Sequence, residues 1–335
     1  MAPVRASIII AAHNEGDRLA KTLRSCQANT GGIDFEYILV DDASPDDCVD
    51  TVSDRFPCAR VVRQRQRRGT SASKDHGAKL ARGGVLVFLD GHTKPERAAL
   101  RKLVEDVEAT RGEAIVQPRI PALDARVWRN SRRSVGYGYH VELQRLETRW
   151  VRPDRLWRRG RFFESPCLIG CAFAISRDLY RKLRGFDPHM LQWGAEDIDL
   201  GLKSWLLGHP VLVDPSAAIG HVFRRRFDNY LVEPECVAVN KLRIARKNFT
   251  ESTWRAWLAA LRARSAPSKW RKIWSLYRER EASAERERRY LDERRVYDEF
   301  WFARKFGLPW PERPQRLERP QRPRALRVSR LPSLR

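Results

Sequence analysis

The sequence predicts an α/β fold: a parallel sheet with crossover helices, followed by a helical, basic C-terminal extension. Three observations carry this prediction. Short apolar, β-branched runs alternate with helix-patterned segments over residues 6–90. Each of the longer runs ends in a polar residue, as expected where a parallel sheet presents the carboxyl ends of its strands to a ligand. Beyond residue 250, tryptophans and leucines recur at helical spacing on a basic background.

Taken in order, residues 6–12 (ASIIIAA) suit a buried strand, and 15–26 has helical spacing. Then come EYILVDD (36–42), a helical segment over 45–56, ARVVRQ (59–64), a second over 71–82, and GVLVFLD (84–90). Strand and helix alternate, so the connections are read as right-handed crossovers between parallel strands. From 113 to 249 the strand signals are less regular: IVQPRI, CLIGCAFAI and HPVLVDP, around LQWGAEDIDLGLKSWLLG. The predicted organisation is a catalytic domain over 1–250, a helical basic extension over 251–311, and a Pro/Arg-rich disordered tail over 312–335.

The chain has 335 residues, 42% of them hydrophobic and 10% aromatic, which excludes a disordered chain. Its 65 Lys and Arg against 42 Asp and Glu give a net charge of +23, about half of it after residue 250. Such an excess fits phosphorylated ligands, nucleic acid or an anionic membrane surface and does not choose among them. No apolar run approaches the ~18–20 residues that cross a bilayer. The N-terminus runs almost directly into a strand, and the six cysteines form no paired framework, so reduced thiols in a cytoplasm are expected. A peripheral position at the inner membrane face is compatible with the basic tail.

DGH at 90–92 places a carboxylate and an imidazole two residues apart at a strand end. Both are ligands for a divalent metal, and Mn²⁺ accepts the mixed set more readily than Mg²⁺. Alone, the pattern is equally an Asp capping the next helix. GHVFRR at 220–225 adds His221, with Arg224 three residues on to grip a diphosphate. VDDAS at 40–44 puts Asp41 and Asp42 at another strand end, where one can accept hydrogen bonds from a base or ribose, or open a turn. WGAED at 193–197 combines an aromatic wall, two small residues and adjacent carboxylates, features of a sugar site or of an acidic helix start. His76, His140, His189 and His209 show no partner pattern. Cys167 and Cys171 lack the second pair that a zinc site needs.

SIIIAAHNE, YILVDDAS, the run from Arg67 to Gly83 into VLVFLDGH, CLIGCAFAISRDLY, GFDPHMLQWGAEDIDL and GHVFR fall in order over roughly residues 5–250. Together they resemble GT-A glycosyltransferases of family 2, most of all the catalytic domain of polypeptide N-acetylgalactosaminyltransferases. The resemblance implies a Rossmann-like nucleotide-sugar-binding sheet and a UDP-sugar donor. His13 and one of Asp41 and Asp42 would contact uracil, with Arg67 and Lys74 beside the nucleotide. Asp90, His92 and His221 would hold Mn²⁺ on the diphosphate. Trp193 and Glu196 would line the sugar pocket, Gly170 would approach the sugar by its backbone, and Arg224 would close over the donor.

Two positions depart from that pattern. Asp197 stands where those transferases have Asn; inverting family 2 enzymes use an Asp there as catalytic base, so Asp197, or failing it Glu196, is the candidate base of an inverting reaction. Cys171 replaces a second glycine and narrows the sugar wall. The expected function is transfer of a hexose or N-acetylhexosamine to an acceptor that the sequence does not identify: a protein side chain, a glycan or lipid-linked sugar, or a small natural product. The alternatives are a nucleotidyltransferase, which has no need of WGAED, and a nucleic-acid-binding protein using the basic C-terminal region.

Overall fold

The computed structural model describes residues 4–155, 157–223 and 231–310. The tail over 312–335 lies outside them. The elements of the first half are β1 (Ala6–Ala12), α1 (Asp17–Ala28), β2 (Phe35–Asp41), α2 (Cys48–Arg55), β3 (Ala59–Arg63), α3 (Thr70–Leu80), β4 (Val85–Asp90), β5 (Thr93–Pro95), α4 (Ala99–Ala109) and β6 (Ile115–Asp124). There follow β7 (Arg129–Gly136), β8 (Tyr139–Glu142), β9 (Glu147–Trp150), β10 (Trp157–Arg159), β11 (Phe162–Glu164), β12 (Ala172–Ser176), α5 (Arg177–Lys182), α6 (Glu196–Leu206) and β13 (Val211–His221). The C-terminal helices are α7 (Pro234–Asn248), α8 (Glu251–Ala263), α9 (Pro267–Arg278), α10 (Glu281–Arg294) and α11 (Glu299–Lys305).

The main sheet has the order β10-β11-β13-β6-β12-β4-β1-β2-β3. Strands β4, β1, β2 and β3 are parallel, as the alternation predicts. The sheet is mixed rather than wholly parallel, because β12 runs antiparallel to both β4 and β6. The segment β7–β11, whose last two strands form the far edge of the sheet beside β13, turns the chain before it returns to the sheet interior as β12, and a run as uniformly apolar as AFAIS carries no mark of its direction. Within CLIGCAFAI only the second half is strand. β13 extends past Pro215, which a register irregularity between Asp214 and Ala218 accommodates.

Both faces of the sheet are covered. Ile8 and Ile10 pack into one apolar layer and Ile9 into the other, which is why β1 reads as continuously hydrophobic. Trp254, Trp257, Tyr277 and Phe302 of the C-terminal helices join the layer that contains Phe88 and Phe173. These aromatics are buried, in accord with packing rather than ligand binding. His209 is also satisfied in the core: its Nδ1 lies 3.2 Å from the Glu113 carbonyl and 2.9 Å from its carboxylate. No helix among the described residues is long and apolar enough to cross a membrane.

A buried ionic cluster holds α7 against α6. Arg243 donates from Nε and Nη2 to both carboxylate oxygens of Asp187, each at 2.9 Å. Lys247 donates to Asp187 at 2.8 Å and to Asp199 at 2.7 Å, and Lys203 to the Gly185 carbonyl at 2.6 Å. All five charged side chains are buried. Burial alone would raise the Asp187 carboxyl, but Lys247 and then Arg243 outweigh it and hold it well below the usual range. The cluster therefore fixes the orientation of α6, the helix that begins at Glu196.

A second buried acid behaves oppositely. Burial and then the facing Asp214 raise Asp106 from the ordinary 3.8 to about 7, against the opposing Arg161. The stability supplied by the protonated form is thus complete below about 3.8 and lost as pH rises through about 7. Asp106→Asn, which keeps a neutral acceptor for Arg161, is expected to gain on the parent by roughly 1–3 kcal/mol between pH 5 and pH 8, the scale set by one poorly compensated buried group. Urea unfolding at the two pH values measures it.

Candidate active site

The parallel register sets Ala12 beside Asp41 and Ala11 beside Asp90, so His13, Asp42 and Asp90 emerge along one edge of the sheet. There they line a cleft of about 310 Å³. His13 donates from Nδ1 to the Asp42 carbonyl at 2.8 Å. The Asp42 carboxylate accepts the backbone N–H groups of Arg68 (2.6 Å) and Gly69 (2.9 Å), anchoring the loop before α3. Gly69 has φ +89°, and a Cβ there would lie 2.4 Å from the Gln192 carbonyl oxygen. That oxygen accepts the Thr70 N–H at 2.9 Å. The loop carrying Arg67 is thus stitched to the loop carrying Trp193.

β5 pairs with the end of β13, Thr93 opposite His221, and so brings His221 to the mouth of β4. One ligand atom from each of Asp90, His92 and His221 lies within 4.8 Å of the others. One carboxylate and two imidazoles form a donor set that fits Mn²⁺ better than Mg²⁺. Burial alone would raise Asp90, but Lys74, then His221 and His92, hold its carboxyl well below the usual range. It is present as the anion a metal ligand must be.

Glu15 is the partner that the sequence did not reveal. Its two carboxylate oxygens each lie 3.1 Å from His92 Nδ1. A carboxylate only accepts, so Nδ1 carries the proton and Nε2 is the lone-pair nitrogen. Gly91 makes the room: a Cβ there would lie 2.9 Å from Glu15 Cγ. This carboxylate–imidazole pairing orients metal-binding histidines and raises their basicity. Glu15→Gln is therefore expected to weaken divalent-metal binding by about 10–100-fold while leaving the fold intact, as measured by calorimetric Mn²⁺ titration.

Lys74 is buried at the back of the cleft. Its Nζ donates to the Gly170 carbonyl at 2.9 Å and sits 3.1 Å from Asp90 and 3.8 Å from Glu196. Burial opposes its charge, yet Asp90 and Glu196 outweigh burial and raise its pKa. Glu196 and Asp197 open α6, where a helix N-terminus favours anions. Asp197 accepts the Ile198 N–H at 2.9 Å and packs under Gly170, where a Cβ would be 3.1 Å from its own. Burial first, and Glu196 second, push its carboxyl up to about 7.

His13, Asp42, Arg67, Lys74, Asp90, His92, Gly170, Trp193, Glu196, Asp197 and His221 all line the one cleft, as does Cys171. Asp41 does not line it: its carboxylate accepts the Ser44 N–H at 2.9 Å and faces Arg63 at 3.7 Å. Arg224 lies outside the described residues. An aromatic wall that the sequence did not mark closes the outer side, with Tyr139 4.4 Å from Trp150 and Trp150 5.7 Å from Phe223, ring centre to ring centre. Phe223 and Trp193 remain 40% and 38% exposed, leaving apolar surface at the mouth.

A mostly parallel sheet that gathers Asp90, His92 and His221, a set able to hold a metal, in a cleft at its carboxyl edge follows the GT-A plan. The chain belongs to glycosyl transferase family 2, whose sequence profile matches residues 7–184. A second profile, described as the N-terminal domain of galactosyltransferase, matches residues 160–224. The chain is 30% identical over 255 residues to polypeptide N-acetylgalactosaminyltransferase 3 of Taeniopygia guttata, covering 71% of this chain and 41% of that protein. The Homo sapiens counterpart is 29% identical, with 71% and 40% covered. The chain thus spans less than half the length of these curated relatives. Its fold is similar to the crystal structure of GalNAc-T7 with UDP, GalNAc and Mn²⁺, at TM-score 0.69 and 21% identity over 91% of this chain and 57% of that one. It is also similar to S. aureus TarS in complex with UDP-GlcNAc, at TM-score 0.53 and 18% identity over 76% and 71%.

Proposed function

We propose that the chain is a divalent-metal-dependent glycosyltransferase that moves a hexose or N-acetylhexosamine from a UDP-sugar to a nucleophile on an acceptor. The observation that carries this reading is the convergence of Asp90, His92 and His221 with buried Lys74 and the Glu196–Asp197 pair in one cleft. A nucleotidyltransferase would share the triad but would have no use for Trp193, Glu196 and Asp197 at the far side. The relatives named for N-acetylgalactosaminyl transfer, and the neighbours crystallised with UDP and GalNAc or with UDP-GlcNAc, support the same donor class.

In this reading Asp90, His92 and His221 hold Mn²⁺, which when bound neutralises charge developing on the departing UDP. Lys74 adds a fixed positive charge beside it, oriented by the Gly170 carbonyl. His13 and Asp42 frame the uracil end, with Arg67 along the nucleotide. Trp193, Gly170 and Glu196 shape the sugar pocket, and Cys171 narrows it. Asp197 receives the acceptor's proton in an inverting transfer; a carboxyl near 7 is a stronger base than an ordinary aspartate. The rate of transfer is expected to rise with pH through about 7, as Asp197 ionises, and Asp197→Asn to remove that limb.

Residues 1–250 form the catalytic domain in this reading and 251–311 a basic helical extension. This reading takes the protein as cytoplasmic, with exposed Arg262 of α8, Arg264 of the loop after it, and Lys269 and Arg271 of α9 suited to an anionic membrane face. The test is incubation with a panel of UDP-sugars and Mn²⁺, following UDP release. Release from one sugar, with the product anomer read by NMR, supports transfer and fixes its stereochemistry. Release from none of them contradicts it.

A further inference from the structure

We propose that a second cavity, between α3, α5 and α10, is a binding site for a small molecule carrying phosphate groups. It is separate from the cleft and does not depend on the glycosyltransferase reading. Its volume is about 520 Å³, within the range of small-ligand sites. Lys79, Arg177, Arg181, Arg184, Lys203 and Arg286 reach it from four helices and the loop after α5.

The acids that line it are already engaged. Asp75 pairs with Lys79 at 2.6 Å and accepts the Tyr180 hydroxyl at 3.1 Å. Asp187 is held by Arg243 and Lys247 from the protein side, and Glu287 pairs with Arg184 at 2.9 Å. Three guanidinium groups remain poorly compensated. Among the described residues the Arg177 guanidinium donates only to the carbonyls of Ala81 (3.4 Å) and Arg82 (3.0 Å), and its buried Nε has no hydrogen-bond partner there. Arg181 has Asp178 no closer than 3.8 Å, with the aspartate almost wholly in solvent. Arg286 has no ion pair among the described residues.

The field is positive by a second indication. His189 on the rim is harder to protonate than an ordinary histidine, through burial first and then Arg243, against the opposing Asp187, with Arg286 and Arg280 adding. An arginine-rich surface accounts for scattered exposed cations. It does not account for a cavity whose wall is buried Tyr180 and Phe186 and whose arginine carries a buried, unused donor. Three guanidinium groups line this one volume, planar guanidinium forks recognise tetrahedral phosphate dianions, and the charge excess calls for more than one negative charge. A free phosphorylated metabolite and a phospholipid headgroup share that chemistry.

The probe is inorganic pyrophosphate, titrated calorimetrically with EDTA present so that the metal triad is empty. The proteins are the parent, Asp90→Ala/His221→Ala, Arg177→Ala, and Arg181→Ala/Arg286→Ala. The last pair replaces two exposed side chains, so the fold is preserved even if Arg177→Ala fails to fold. In parallel, each protein is co-sedimented with phosphatidylcholine vesicles with and without phosphatidic acid. Parent and triad variant are expected to bind pyrophosphate alike, with Kd rising roughly tenfold for each arginine removed. Binding to phosphatidic acid vesicles alone, lost in the same arginine variants, also supports the site and identifies its ligand as a headgroup. Failure of the parent to bind either probe, or equal binding by the parent and the Arg181/Arg286 variant in both, overturns the proposal.

Discussion

Asp90→Asn is expected to lower kcat/KM for sugar transfer by roughly a thousandfold or more, the scale of losing a charge that acts on the developing leaving group. Asp90 is the single carboxylate of the triad, and it is also the nearest anion to buried Lys74. Asparagine keeps its size and an acceptor oxygen but removes the charge, so the proposed metal site loses its anionic ligand. Lys74 is left with Glu196, 0.7 Å farther than its contact to Asp90. The effect should appear in kcat as well as KM, because charge on UDP grows toward the transition state. Steady-state kinetics at saturating Mn²⁺ measure it, with thermal unfolding as a control on the fold. A loss of less than about tenfold would remove Asp90 from the centre of the mechanism.

The second large effect concerns stability. Lys247→Ala is expected to cost about 3–5 kcal/mol, because it leaves two buried carboxylates short of a cation. Lys247 bridges Asp187 and Asp199 with its own side chain fully buried. By contrast Lys272→Ala, which breaks an exposed pair with Glu233, should cost about 0–1 kcal/mol. Urea unfolding of the two variants compares them directly, and equal losses would contradict the account. Because the cluster orients α6, Lys247→Ala should also lower transfer under conditions where the variant remains folded.

The strand ends were legible in the sequence because a buried parallel strand is apolar on both faces and stops where polar residues begin. EYILVDD at 36–42 and GVLVFLD at 84–90 lie within one residue of Phe35–Asp41 and Val85–Asp90. The first residues past those ends, with His92 and His221, therefore came out of pattern alone. What the pattern missed is non-local. Glu15 and His92 are 77 positions apart, and each reads singly as an ordinary loop residue. Asp187 and Lys247 are 60 apart, and a lysine at an α7 position gives no sign that its partners lie across a helix interface. The hairpin β8–β9 and its aromatic wall were hidden in an arginine-rich segment where strand alternation is weak. Helix α4, though amphipathic, falls in the interval between GVLVFLD and IVQPRI that the strand reading passed over. The direction of β12 was likewise invisible, since pairing direction is set by the connection and not by the strand's own residues.

The central claim is that this cleft binds a uridine diphosphate through Asp90, His92 and His221. Calorimetric titration of UDP with and without Mn²⁺, on the parent and on Asp90→Ala/His221→Ala, tests it most directly. The account predicts binding that depends on Mn²⁺ in the parent and disappears in the variant. UDP binding that is absent with every divalent metal, or that survives unchanged in the variant, would contradict it.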